Sequence, residues 1–116
     1  MIRTRKFALN VIRFVRSLPR DQVAMTIGNQ LLRSGMSVGA NYRAVCRAKS
    51  RPDFISKLSI VEEETDECCY WLDLLVESGT VSAAGPTALA SEANELIRIV
   101  VASIRTARRN QMRGKA

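Results

Sequence analysis

Apolar side chains return every three or four residues along four stretches of this sequence, and three groups of helix-breaking residues separate the stretches. In the first stretch Phe7, Val11, Phe14 and Leu18 fall on one helical face. In the second, Ile27, Leu31, Ser34, Val38, Asn41 and Val45 do so. Phe54, Leu58, Val61, Thr65, Cys68, Leu72 and Leu75 share a face in the third, and Leu89, Ala93, Leu96, Ile97, Val100, Ile104 and Ala107 in the fourth. No stretch alternates apolar and polar residues for long without also fitting a helical period, so strand signals are weak.

Each break has its own chemistry. Pro19 after Leu18 disfavours continuing the first helix, and Asp21 can cap the second. Ser50 is a cap for the third, with Pro52 tolerated in its first turn. Gly79 after Ser78 can end that helix, and Pro86 after Gly85 can open the fourth. The pattern predicts helices over residues 4–18, 21–48, 52–78 and 86–112. Short connections force consecutive helices to lie side by side, so the expected architecture is all-α, an up-down-up-down antiparallel four-helix bundle.

Length and composition agree with one core. The chain has 116 residues, 47% hydrophobic and 25% charged, which suits a single domain over residues 1–116. It contains no histidine. That absence excludes Ser-His-Asp and Cys-His nucleophiles, His-ligated zinc and the Glu-x-x-His di-metal helix of ferritin-like bundles. An enzyme here would have to work without imidazole, and the expectation is a nonenzymatic chain with no cofactor. Three cysteines occur, and Cys68 and Cys69 are neighbours that cannot form an ordinary disulfide with each other, so a reduced, cytoplasmic chain is expected. No apolar run reaches the roughly 18 residues that span a bilayer, so no membrane association is expected. Residues 1–18 hold Arg3, Arg5, Lys6, Arg13 and Arg16 without a carboxylate, as mitochondrial targeting segments do, but the same segment supplies the bundle's first helix.

Two features of the stripes are unusual. Gln30, Ser34, Ser37 and Asn41 lie close together on the core side of the second helix. Folding the hairpin at Ser50 brings Ser34 near the level of Thr65 and Glu64. Ser34, Ser37, Asn41 and Glu64 therefore form an expected buried polar network, read either as a hydrogen-bonded register lock or as a ligand cleft. The second feature is an apolar strip of Ile60, Trp71 and Leu74 on the third helix, projecting away from the seam. A strip of this kind marks an oligomer interface unless a loop or the first helix covers it.

Charge is segregated. The formal net charge is +7, yet residues 53–79 hold Asp53, Glu62, Glu63, Glu64, Asp66, Glu67, Asp73 and Glu77 against Lys57 alone. Arg98, Arg105, Arg109 and Arg113 form a basic stripe on the fourth helix. Arg5, Arg13 and Arg16 make a comparable face on the first, and Arg43 and Arg47 close the second. Such stripes can neutralise phosphates, or can pair with the acidic helix of the same or a neighbouring subunit. The runs Glu62 to Glu67 and Glu92 to Glu95 resemble the metal-holding Glu-x-x-Glu and Glu-x-x-Asp elements of all-helical nucleotide pyrophosphatases. By helical angle, however, Glu62, Glu63 and Asp66 point outward and Glu95 faces away from its apolar stripe, so no metal site is expected.

The run Gln30 to Asn41 (QLLRSGMSVGAN), then Asp53-Phe54-Ile55, Ile60 to Glu67 (IVEEETDE) and Tyr70-Trp71-Leu72, resembles the four-helix-bundle proteins encoded by intervening sequences of bacterial 23S rRNA genes. The resemblance spans nearly the whole chain and is strongest in the second and third helices. The accessory protein of diversity-generating retroelements is similar in fold. That similarity implies a ring-shaped homopentamer with a basic surface, associating with nucleic acid and a reverse transcriptase. Many relatives read Asn-Ile-Ala-Glu-Gly where this chain reads Asn41-Tyr42-Arg43-Ala44-Val45, so no role attached to that glutamate carries over. Resemblance and charge together lead to an oligomeric bundle that binds structured RNA or DNA, mostly through phosphates. Phe7, Phe14 and Phe54 belong to the core, and only Tyr42, Tyr70 and Trp71 remain for base stacking. The alternative is a protein-interaction scaffold or a reverse-transcriptase accessory subunit without direct nucleic-acid contact.

Overall fold

The computed structural model describes residues 2–115, and it consists of four helices: α1 (Ile2–Arg16), α2 (Gln22–Val45), α3 (Arg51–Glu77) and α4 (Ala84–Lys115). Neighbours in sequence are neighbours in space. α2 packs on α3, α3 on α4 and α1 on α2, while the α1–α4 seam that closes the bundle is the smallest. The diagonal pairs α1–α3 and α2–α4 make no backbone approach, which is the all-α, antiparallel four-helix arrangement expected.

The helix ends follow from local chemistry. Asp21 accepts the Ala24 amide at 2.9 Å and opens α2; Ser50 accepts the Asp53 amide at 3.1 Å and opens α3. Asp53 in turn accepts the Lys49 amide at 3.0 Å, so a second free donor at that entry is satisfied. α3 ends in a left-handed glycine: Gly79 has φ +73°, its amide reaches Val76, and the Thr80 amide reaches back to Leu75. α1 and α2 stop two and three residues before the ends expected at Leu18 and Ala48. The amides of Ser17 and Leu18, and those of Arg47 and Ala48, turn back three residues, which tightens each end out of α-helical geometry. Leu18 nevertheless reaches the bundle, because its side chain lies over Gly28.

The core is the expected stripe on each helix. Phe7, Val11, Leu31, Val38, Leu58, Val61, Cys68, Leu72, Leu75, Leu89, Ala93, Leu96, Val100 and Ile104 are all buried, each such large apolar side chain contributing about 1.5–3 kcal/mol. Ala24 joins them at the start of α2, outside the stripe read from the sequence. Phe14, Leu18, Ile27 and Phe54 are only half-buried, because they pack at the ends of the layers. Buried polar groups are satisfied: Thr65 donates to the Val61 carbonyl at 2.7 Å, and no buried side-chain nitrogen or oxygen among the described residues lacks a partner. Burial pushes the Cys68 thiol up to about 12, with Cys69 and Glu64 adding to it, so this sulfur stays protonated. Among the described residues no helix is long and apolar enough to cross a membrane.

α1 is the short member. It is 15 residues long against 32 for α4, about 22 Å against about 48 Å at 1.5 Å per residue. Its contacts fix its level. Phe14 lies against Gly85, Asn10 donates to Glu92 at 3.3 Å, and Arg3 pairs with Glu95 at 2.5 Å. On the α2 side Val11 lies over Gly35, while Ala8 and Thr4 lie over Gly39. The molecule measures 56 × 21 × 20 Å, so α1 covers about two-fifths of its length.

Candidate nucleic-acid interface

The end of the bundle where α2 finishes is a basic pole. α2 delivers Arg43, the α2–α3 connection adds Arg47 and Lys49, α3 opens with Arg51, and α4 runs back to the same end with Arg105, Arg108, Arg109 and Arg113. The two strands of this cluster meet where the Arg51 guanidinium lies 3.6 Å from the position a Cβ on Gly114 would take. Glu63 shares a groove with Arg108, and Asp53 also enters this region, where the side-chain hydrogen bond from Lys57 together with the Lys49 amide holds its pKa below the usual range.

Arg5, Arg13, Arg16, Arg43, Arg47, Arg98, Arg105, Arg109 and Arg113 are all exposed, and among the described residues none forms an ion pair. Their positions divide them. Arg43, Arg47, Arg105, Arg109 and Arg113 gather at the pole. Arg5 shares a surface groove with Arg43 between α1 and α2. Arg13 and Arg16 lie at the far end, where Arg13 donates to Asn10 and Arg16 borders the α1–α2 turn. Arg98 lies in the α3–α4 groove beside Asp73 and Glu77, so its field is partly offset by those carboxylates. The basic stripe of α4 is therefore strongest beyond Arg98.

The acidic runs diverge rather than converge. On α4, Glu92 and Glu95 turn to Asn10 and Arg3 of α1. On α3, Glu64 and Glu67 turn to Arg33 of α2, Glu64 at 3.3 Å. Among the described residues no three His, Cys, Asp or Glu side chains gather as metal ligands do.

The polar network has a different centre from the one the spacing indicates. Ser34 is fully buried and donates to Glu67 Oε2 at 2.5 Å, Arg33 contacts both Ser34 and Glu67, and Trp71 Nε1 donates to the same Glu67 oxygen at 3.1 Å. The Ser34 and Trp71 donors, with Arg33 beside them, hold the Glu67 carboxyl below its ordinary pKa. Glu64 joins through Arg33. Ser37 and Asn41 do not: the Asn41 amide bonds the Ser37 carbonyl of its own helix at 2.8 Å. The hub residues Arg33 and Glu67 carry a signal in the sequence, since Glu67 and Trp71 stand four apart and Arg33 is the cation next to Ser34. All the groups are engaged with each other, so the arrangement fixes α2 against α3 and presents no free nucleophile or base.

Of the apolar strip, Ile60 stands out with 39% exposure, while Trp71 and Leu74 are half-buried. Trp71 packs against the core and meets Tyr70 edge-on, ring centres 4.9 Å apart at 70°, and Tyr70 is 55% exposed. The exposed part of this face is thus Ile60 and Tyr70 more than the indole. Tyr42 is half-buried against the core.

A crystal structure from Bacteroides thetaiotaomicron, described as a protein with unknown function from the S23 ribosomal protein family, is similar to this chain. It shares 31% sequence identity with a TM-score of 0.82, over 88% of this chain and 94% of that one. No functionally curated protein matches the chain. The family model for the 23S rRNA-intervening sequence protein matches residues 2–102, which takes in all of α1, α2 and α3 and half of α4. The chain belongs to the 23S rRNA-intervening sequence protein family.

Proposed function

We propose that this chain is a nonenzymatic, oligomeric bundle that binds structured RNA or DNA through its basic faces, chiefly the pole built from Arg43, Arg47, Arg105, Arg109 and Arg113. The observation that carries the reading is the set of exposed guanidiniums free of intrachain ion pairs among the described residues. Guanidinium groups left unpaired by their own fold attract phosphate oxygens by charge and by forked hydrogen bonds. Contacts of this kind position a backbone and carry little base sequence. Copies associate through Ile60 with Trp71 and Leu74, as a homopentamer, which repeats a weak phosphate site and multiplies its avidity.

Mobility-shift titration of an RNA hairpin and a DNA duplex at rising salt tests the reading. Binding should fall with a log-log slope of several units, and Arg105→Glu with Arg109→Glu should lower that slope by about two. No binding at low salt would favour a protein scaffold or a reverse-transcriptase accessory subunit that never touches nucleic acid. Native mass measurement of the wild type and Ile60→Asp tests assembly: a closed ring that dissociates in the variant is expected, and a wild-type monomer contradicts it.

A further inference from the structure

The acidic face of α3 has no ion-pair partner inside the fold. From Ile60 to Glu77 the exposed residues of that helix are Ile60, Glu63, Asp66, Tyr70, Asp73 and Glu77, four carboxylates around two large side chains that can pack. Among the described residues none of the four carboxylates forms an ion pair. Arg98 and Arg108 border the face from α4, and four carboxylates against two guanidiniums leave it negative. Two copies that laid this face on each other would bring like charges together, so the apolar strip of Ile60, Trp71 and Leu74 calls for a different, basic counter-surface on the neighbouring copy.

The α1–α2 seam has those properties. Residues 2–45 hold a single carboxylate, Asp21, in the turn between the two helices. A groove of about 650 Å³ opens between Thr4, Arg5 and Ala8 of α1 and Met36, Ala40 and Arg43 of α2, with Met36 48% exposed. A second groove on the same seam is lined by Arg16, Arg20 and Met25 among others, with Met25 58% exposed. Among the described residues Arg5, Arg16, Arg20 and Arg43 form no ion pair. The register matches as well. Arg5 and Arg16 stand eleven residues apart on α1, as do Met25 and Met36 on α2, about 16.5 Å along a helix, and on α3 Asp66 and Glu77 are eleven apart and Ile60 and Tyr70 ten. We infer that the acidic face of α3 docks along the α1–α2 seam of a second copy of this chain, Ile60 and Tyr70 over the exposed methionines and the carboxylates toward the four arginines. The inference rests on the oligomeric reading above and supplies the side of the interface which that reading leaves open. Each copy uses two different surfaces, so the contact is head-to-tail and repeats around a ring.

Native mass measurement of the full chain across a dilution series tests this with two double variants, Arg5→Glu with Arg43→Glu in the seam and Glu63→Arg with Asp66→Arg on the face, all at exposed positions. Each variant alone is expected to need at least about tenfold more protein than wild type to assemble, with helical content by circular dichroism unchanged. Mixed in equal amounts, the two should assemble again in complexes that contain both, because the reversed seam of one matches the reversed face of the other. Misfolding cannot produce that rescue. Assembly that survives in the seam variant but is lost in Ile60→Asp places the counter-surface elsewhere, which overturns the inference and leaves the oligomeric reading standing. If that surviving assembly no longer binds an RNA hairpin, the seam arginines belong to the phosphate surface instead. A mixture that fails to recover also overturns the inference, as does tighter assembly of the Glu63/Asp66 variant, the mark of a self-paired face relieved of its own repulsion. A wild-type monomer overturns the oligomeric reading itself, and the inference with it.

Discussion

The two ends of this molecule share α3 and α4, yet they spend their residues differently. Where α1 is present, backbones approach closely: a Cβ on Gly35 would come within 2.7 Å of Val11 Cγ1, and charged groups such as Arg3 and Glu95 meet across the seam. Toward the other end Phe54 and Ile99 are left partly uncovered, and among the described residues Arg43, Arg47, Arg105, Arg109 and Arg113 form no ion pair. One end uses its sequence for packing, and the other keeps its sequence available to something outside the chain. Stability and recognition are therefore separable by position along the long axis.

Substitutions can break that separation, and the largest effect belongs to the packed end. Phe7→Ala removes a fully buried ring from α1 and should cost about 3–5 kcal/mol in chemical denaturation, whereas Ile99→Ala toward the other end should cost under about 1 kcal/mol. Gly35→Val forces α1 outward against Val11 and should cost about 1–3 kcal/mol, with α1 amides losing protection from hydrogen exchange first. Ser50→Ala removes the cap of α3 at the basic pole and should cost about 1 kcal/mol, leaving the salt slope of nucleic-acid binding unchanged.

A pH titration sharpens the comparison further. Glu67 is held below its unfolded pKa, so its stabilisation is complete above that value, about 4.5, and is lost as pH falls through the lower folded value. Trp71 is the only tryptophan and donates to Glu67, so its emission should change in that acid window in wild type and not in Glu67→Gln. The smallest effect is expected at the closing seam: Arg3 and Glu95 are each about half exposed, and Arg3→Gln should change stability by less than about 0.5 kcal/mol.

Much of the fold is legible in the residue pattern because period and punctuation agree. The four apolar stripes became the core, and Asp21, Ser50 and Gly79 act where their chemistry allows. Helix ends were harder to read, since Leu18 continues the amphipathic pattern after the backbone has tightened and no breaker stands between Val45 and Ser50 to mark where α2 ends. The polar hub was legible to within one turn: hairpin geometry places Ser34 opposite Thr65 and Glu64, and the structure places it on Glu67. A shift of three residues is one helical turn, which side-chain packing across α2 and α3 decides. Asn41 escaped the pattern for a different reason. Its amide can satisfy itself on its own helix, and spacing cannot tell that outcome from a cross-helix bond.

The closing seam also sets an order of events. Arg3 and Glu95 are 92 residues apart in the chain, while α2 and α3 meet across a five-residue connection. Loop-closure entropy disfavours the distant pair, and the seam between them is the smallest of the four. The α2–α3 hairpin is thus placed to nucleate folding, α4 to add to it, and α1 to swing shut last and to breathe open first, briefly baring the Phe7 and Val11 layer of the core.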